Sequence, residues 1–439
     1  MNLAKSSIKA FSIKIFGALL FTAYSIFLAR ILSQDDYGTV MYAIAVATAL
    51  GPICLLGFDR TTTKFAAVYY AEKQVPQLRG LLSRGRRTGL AFSFALLFLA
   101  AGLAAFGLLN FSESKHRSIL LALCILPFWA WVLLNREFLR GLKFLIPALV
   151  GFQILRPALA MLFTAMIYWA GWLNSASALA CLGGALAAAI ILDTRRIRNV
   201  LGPTDGQPVY ETDKWIQTAK PLLFSMVMYT IVTRADMLMV GSILGMEKAA
   251  HYSVASRLAN IPDFILDAGR LVIAPLISEH FHKNKMDVVQ NQVTKVSQLV
   301  FFAVAPFALA MFLFPGFFLG LFGKSYESAD MILIYLITGQ IVNALSGTAG
   351  VLLIMTNRQK EHARIVSVGA AMNLILIYWL IKKMGAAGAA LATAITIMIS
   401  NVCMIIVAKR KLQIVSYVRF NRAFVEYAKN AVRRRGEAG

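Results

Sequence analysis

Residues 86–109 read RRTGLAFSFALLFLAAGLAAFGLL, two arginines followed by a long uncharged, mostly apolar run. A hydrocarbon core of about 30 Å takes roughly 20 helical residues to cross. This stretch is long enough, and it is one of many. Working outward from it, twelve candidate spans cover 10–31, 37–58, 86–109, 117–138, 146–169, 173–193, 219–244, 249–276, 296–322, 329–355, 364–384 and 388–408. The loops between them are short and leave no room for a separate soluble domain. The expected fold class is all-α integral membrane, with 12 transmembrane helices. Near the start, Lys5, Lys9 and Lys14 precede an apolar run from Ile15 to Ala29. That pattern imitates a signal peptide, but no clear small-residue cleavage site stands out, and it reads as an uncleaved first span.

Composition supports the same reading. Of 439 residues, 59% are apolar and only 15% charged, against about 25% charged in ordinary soluble domains. The net charge is nevertheless +23. High apolarity with high positive charge excludes a disordered chain, a disulfide scaffold and a soluble enzyme, and fits a polytopic membrane protein with its cations crowded on one side. With the N-terminus placed inside, 33 of the 44 Lys and Arg fall on inner segments and 7 on outer loops. Both termini are therefore expected in the cytoplasm. The same split removes nucleic acid as the reason for the charge. The tail with Arg433, Arg434 and Arg435 reads as a topology determinant facing anionic lipid.

Six of the spans lie in residues 1–193 and six in 215–410, separated by a polar linker at 194–214 and followed by a basic cytoplasmic tail at 411–439. A weak self-match joins Ala176-Ser177-Ala178-Leu179-Ala180 to Gly388-Ala389-Ala390-Leu391-Ala392. An even number of spans per half makes the two six-helix bundles parallel repeats about a pseudo-two-fold axis along the membrane normal, a transporter arrangement.

Conventional catalytic signals are missing. Cys54, Cys124, Cys181 and Cys403 lie far apart in apolar runs, as small packing residues. The five histidines sit in loops or near helix ends, with no metal-ligand spacing and no Ser/His/Asp arrangement. No nucleotide-binding loop is present, so no cofactor is expected. Any energy has to come from a proton or sodium gradient, the membrane potential or a downstream sink.

Ionisable groups at membrane depth are expensive and normally face the bundle interior. The cations in or bordering the spans are Lys14, Arg156, Arg234, Arg257 and Arg270, and the acids are Asp236, Asp263 and Asp267. Cations outnumber acids. A planar guanidinium donates two parallel hydrogen bonds to a phosphate, so the five cations are candidate substrate-binding residues. Each has a plainer reading. Lys14 can snorkel to the inner surface. Arg156 can satisfy the carbonyl that Pro157 frees near Gln153. Arg234 and Asp236 stand about 200° apart on a helix, so each needs its own partner. Asp267 and Arg270 are spaced i,i+3 and can pair. Asp263 and Asp267 would repel if both were ionised, unless one is protonated or matched by Arg257. Asp59, at the inner edge beside Arg60, joins Asp236 and Asp267 as candidates for gating or ion coupling, with a salt bridge between loops as the plainer case for Asp59.

Several motifs carry a resemblance. After the first span stands Leu32-Ser33-Gln34-Asp35-Asp36-Tyr37-Gly38, in which Ser33 and Asp36 have the spacing of a capping box. Gly57-Phe58-Asp59 follows the second span and Leu139-Arg140-Gly141 the fourth. Asp236, Gly241 and Tyr252 follow in the second half, with Ala250 where glycine is usual. In this order the chain resembles the polysaccharide or O-antigen flippases of the multidrug/oligosaccharidyl-lipid/polysaccharide exporter superfamily. The resemblance implies a MATE-like fold in a bacterial inner membrane, with both halves rocking around a cationic cavity. It implies translocation of an undecaprenyl-linked oligosaccharide, with the lipid bilayer and a polysaccharide polymerase as partners. The alternative is an ion-coupled multidrug exporter of the same superfamily, whose cavity would favour acids. A membrane polymerase or glycosyltransferase is disfavoured, because such enzymes carry their chemistry on an extended outer loop.

Overall fold

The computed structural model describes residues 3–106, 113–202 and 207–418. Residues 203–206 of the polar linker, and the basic tail from Arg419 onward with Arg433 to Arg435, lie outside the described residues. Among the described residues every regular element is helical. In chain order they are α1 (Leu3–Ile31), α2 (Gln34–Cys54), α3 (Phe58–Ala71), α4 (Val75–Ala105), α5 (Ser114–Gly141), α6 (Leu145–Val150), α7 (Arg156–Trp169) and α8 (Ser175–Leu201). They continue as α9 (Thr212–Leu244), α10 (Met246–Ala259), α11 (Ile261–His282), α12 (Met286–Leu313), α13 (Pro315–Gly320), α14 (Asp330–Leu345), α15 (Ala349–Met355) and α16 (Gln359–Leu412). Nine helical segments among the described residues are long and apolar enough to cross a bilayer, and ten if α9, bent by 54° between Met228 and Thr233, is taken as one span. The last of them, α16, runs for 54 residues and breaks at Gly385, where φ is 60°. At 1.5 Å per residue its length is well over twice what one crossing needs.

The chain packs as two compact units that interleave along the sequence. The first comprises Met1–Leu258, Gly316–Ile332 and Asn373–Ala390; the second comprises Ala259–Pro315, Leu333–Met372 and Leu391–Gly439. In the first unit α5 is the central helix, packed against α2, α3, α4 and α8. Its inward face buries Leu126, Trp129, Leu134 and Phe138. The outer faces are the reverse: Phe98 and Leu19 are exposed, as side chains that face lipid are. Trp169 and Trp172 are also exposed, at the turn after α7, where an aromatic belt is expected.

The start of α2 shows how sequence fixes local geometry. Ser33 Oγ accepts the Asp36 N–H at 3.1 Å and donates to Asp36 Oδ2 at 2.9 Å. Asp36 Oδ1 accepts the N–H of Ser175 at the start of α8. Asp35 accepts Ser114 Oγ at 2.8 Å and Arg117 at 3.3 Å, both from α5. The paired acids thus tie three helix starts together at one end of the unit. Gly38 then permits contact with the start of α10, because a methyl there would overlap the Met246 carbonyl.

In the second unit α11 and α12 form a hairpin that packs with α15 on Ile273, Ile277, Val289, Val293, Leu352 and Leu353. Gly269 leaves room for Val300 across the hairpin. The four cysteines are all free thiols.

Candidate functional site

The feature of the first unit that departs most from simple packing begins at Pro157. Proline has no N–H, and the turn before it widens into a π-helical step over Gly151–Leu155, in which the Arg156 N–H donates to the Gly151 carbonyl. Such steps recur at functional sites, because the extra residue re-aims side chains. Here Phe152 and Arg156 come to share one face. The Arg156 guanidinium lies 4.1 Å from the Phe152 ring centre, 5.0 Å from Trp129 on α5 and 5.1 Å from Phe21 on α1.

Two more arginines continue the pattern. Arg257 of α10 lies 4.3 Å from one of the same three rings, Phe21. Arg136 of α5 lies 4.7 Å from Phe152. The order is therefore Arg257, Phe21, Arg156, Phe152, Arg136, with cations and rings alternating. Arg156 is only 5% exposed. The Nε atoms of Arg156 and Arg257 are buried with no hydrogen-bond partner. The charged neighbours of Arg156 are Arg136 and Arg257, and Arg257 in turn neighbours Arg234. Among the described residues no carboxylate pairs with Arg156 or Arg257. Arg257 instead meets the hydroxyl of Tyr37, which shares a 2.7 Å hydrogen bond with Ser25.

Magnitudes show what this arrangement lacks. Each desolvated cation–π contact contributes about 2 kcal/mol. Taking a charge out of water costs several kcal/mol even after relaxation, and neighbouring guanidinium groups add mutual repulsion. The rings soften that cost and leave the Nε–H groups of Arg156 and Arg257 without an acceptor. An anion with several oxygens supplies one.

The other candidate residues fall in different surroundings. Asp236 accepts the Tyr252 hydroxyl at 2.7 Å and the N–H of Met237 at 2.7 Å, and Arg234 is its charged neighbour. Two residues of the sequence motif, Asp236 and Tyr252, are thus in direct contact. Asp59 is buried, with Arg60 at 3.9 Å and its Oδ1 without a partner. Burial pushes its carboxyl above the usual carboxylate value. Lys14 is exposed on α1. In the second unit, Arg270 pairs with Asp267 at 2.9 Å, so this cation is already matched. Asp263 is held by Gln340 at 2.8 Å and Asn343 at 3.4 Å, and Asn401 donates to Asn343. Carboxamides, rather than Arg257, are the partners of that acid.

Arg136 and the three rings were not among the candidates read from sequence. Arg136 counts there as an inner-loop cation, and it does pair with Glu137, which also accepts Arg140 at 2.8 Å and Thr63 at 2.9 Å. The available signal was spacing: Phe152 and Arg156 are four apart, and Trp129 and Arg136 seven apart, each pair on one helix face. Among the described residues no group of three His, Cys, Asp or Glu is placed to hold a metal ion.

The profile of the polysaccharide biosynthesis protein family matches residues 3–281, well over half of the chain. The chain belongs to the polysaccharide biosynthesis protein family. The MatE family profile matches residues 221–379 of this polysaccharide biosynthesis protein. A probable low-salt glycan biosynthesis flippase, Agl15 of Haloferax volcanii, is 26% identical over 168 residues, which cover 38% of this chain and 36% of that relative. The chain thus matches little more than a third of that relative's length. The lipid II flippase MurJ of Bacillus subtilis is 22% identical over 405 residues, covering 82% of this chain and 73% of the relative. Among solved structures, an inward-facing multidrug resistance MATE family transporter of the MOP superfamily superposes with a TM-score of 0.71 at 12% identity, covering 92% of this chain and 98% of that one. Lipid II flippase MurJ in an inward closed conformation gives 0.72 at 16% identity, covering 91% and 87%. At those identities the likeness establishes the fold: an all-α, multi-span membrane protein built like the MATE transporters.

Proposed function

We propose that this family member is a flippase. It carries an undecaprenyl-phosphate- or pyrophosphate-linked oligosaccharide, the repeat unit of an O-antigen, capsule or exopolysaccharide, across a bacterial inner membrane. The observation that carries the reading is the pair Arg156 and Arg257, two guanidinium groups against the ring of Phe21 that have no carboxylate partner among the described residues. A phosphorylated head group supplies the missing acceptor oxygens, while the polyprenyl tail stays in lipid. The family membership and the names of the Agl15 and MurJ relatives support the same class of cargo.

In this reading twelve helices form two six-helix bundles, 1–193 and 215–410, joined by the linker 194–214. They rock about a pseudo-two-fold axis to expose the cationic residues to each side in turn. Arg234 and Lys14 extend the cationic path of the first unit, while Arg270 in the second unit is held by Asp267. Asp59, Asp236 and Asp267 gate it or couple it to a proton or sodium gradient. Both termini face the cytoplasm, and a polysaccharide polymerase consumes the product outside. The protein is a transporter and performs no bond-breaking step.

An ion-coupled multidrug exporter is the second reading, favoured by the match of residues 221–379 to the MatE profile. An arginine-lined path repels cationic drugs, which argues against it. Surface polysaccharide measured at equal protein level in cells carrying Arg156→Ala or Arg257→Ala separates the two. The flippase reading expects loss of surface glycan with unchanged drug tolerance. Normal glycan export from both variants contradicts it.

A further inference from the structure

A cavity of about 440 Å³ opens in the first unit between α4, α9 and the turn that precedes α3. That volume lies within the roughly 300–1,000 Å³ range of small-molecule sites. Three cations line it, Arg84 and Arg87 from α4 and Lys220 from α9, and no acidic residue does. Among the described residues none of the three lies within ion-pairing distance of a carboxylate. The Nε of Arg84 is buried with no hydrogen-bond partner. Phe58, Phe92 and Leu223 complete the wall, so the cavity is cationic at one part and apolar at another.

Its height along the helices is set by the sequence. In α4, Arg79, Arg84, Arg86 and Arg87 all precede residues 88–105, which contain no charge. In α9, Asp213, Lys214 and Lys220 precede the uncharged residues 221–233. The three cations therefore ring the level at which both helices pass from polar to hydrocarbon surroundings. That is the level of lipid phosphates, and basic pockets between membrane helices take anionic head groups there.

We infer that this cavity binds an anionic glycerophospholipid, with its phosphate on Arg84, Arg87 and Lys220 and the upper part of a chain against Phe92 and Leu223. The free Arg84 Nε and the absence of lining acids call for a phosphate, and the apolar wall calls for one attached to a lipid. The site is separate from the Arg156 cluster and does not depend on the flippase reading. Its occupancy holds α4 against α9 from the lipid side.

The test uses the full chain purified in a neutral detergent, with phosphatidylglycerol or phosphatidylcholine added at equal mole fraction. The readouts are the thermal midpoint and the lipids retained in native mass spectrometry. Phosphatidylglycerol is expected to raise the midpoint by about 3 °C over phosphatidylcholine, by binding the folded state. The triple variant Arg84→Gln, Arg87→Gln, Lys220→Gln is expected to lose that rise and the retained lipid. The control Lys382→Gln, Lys383→Gln, which removes charge elsewhere, keeps both. Should the triple variant fold poorly in phosphatidylcholine, the single variant Arg87→Gln at an exposed position is expected to retain less phosphatidylglycerol by mass spectrometry. Equal retention in all variants overturns the inference. So does an equal rise from inorganic phosphate alone, which would make this a free-anion site. Selective retention of undecaprenyl phosphate over phosphatidylglycerol also overturns it, since the cavity would then belong to the cargo.

Discussion

Arg156 and Arg257 lie against the same aromatic ring, that of Phe21, at 5.1 and 4.3 Å. They come from helices a hundred residues apart in sequence, and the charged groups that act on each are further arginines. Rings alone do not compensate two such charges at membrane depth. An arrangement that is electrostatically incomplete without a ligand is expected of a site that binds an anion.

Arg156 is the sharpest place to separate a structural role from a functional one. If its charge were structurally matched, removing it would destabilise the protein by about 3–5 kcal/mol. For an arginine with no carboxylate partner the reverse is expected. Arg156→Met, with a similar apolar length, should leave the thermal midpoint unchanged or higher while surface glycan falls about 10-fold or more, the equivalent of one or two charged hydrogen bonds. Arg156→Lys should restore little, because an ammonium lacks the planar fork. Parallel thermal unfolding and glycan assays on both variants check this.

Tyr252 donates to Asp236 at 2.7 Å. Tyr252→Phe deletes the donor and keeps the ring, which leaves a largely enclosed carboxylate one partner short. A loss of about 1–3 kcal/mol is expected. Denaturation of the purified variant in detergent should show a lower midpoint, and an unchanged midpoint would mean that water replaces the hydroxyl.

Asp59 predicts a direction with pH. Burial raises its folded-state affinity for a proton above that of the unfolded chain. Between the ordinary carboxylate value and the raised one, the folded state therefore binds more protons than the unfolded state. Stability from this group is present at the acid end and is lost as pH rises through that window. Asp59→Asn removes the titration. Thermal midpoints of the two proteins should converge at the acid end, and the variant should gain on the wild type as pH rises.

Gly38 sits where a methyl would overlap the Met246 carbonyl. Backbone cannot move aside as a flexible side chain can, so Gly38→Val should destabilise by about 1–3 kcal/mol or more. Membrane-inserted yield and thermal midpoint report it, whereas Gly102→Val, at a position with open space around the glycine, should be tolerated.

Much of this fold is legible in sequence because hydrocarbon imposes length. The break in α16 at Gly385 falls between the runs 364–384 and 388–408, and the Ser33–Asp36 cap follows from spacing alone. The Asp267–Arg270 pair is legible for the same reason, since i,i+3 neighbours on one helix have little freedom to avoid each other. The alternation of Arg257, Phe21, Arg156, Phe152 and Arg136 is not legible. It joins α1, α5, α7 and α10 through rings that, in an apolar chain, look like any other packing residues. The i,i+4 spacing of Phe152 and Arg156 is visible in the sequence, but the π-helical step between them has no signature beyond the proline that follows it. The carboxamide partners of Asp263 are hidden in the same way, because Gln340 and Asn343 lie some 80 residues further along the chain, and Asn401, which donates to Asn343, lies further still.

The central claim is that the unmatched Arg156 and Arg257 receive a phosphorylated head group. Binding of undecaprenyl pyrophosphate to the full chain in phosphatidylcholine nanodiscs tests it most directly, comparing wild type with the double variant Arg156→Ala, Arg257→Ala. Loss of two charge-assisted contacts should weaken binding by about 100-fold. Equal affinity in wild type and double variant would contradict the account.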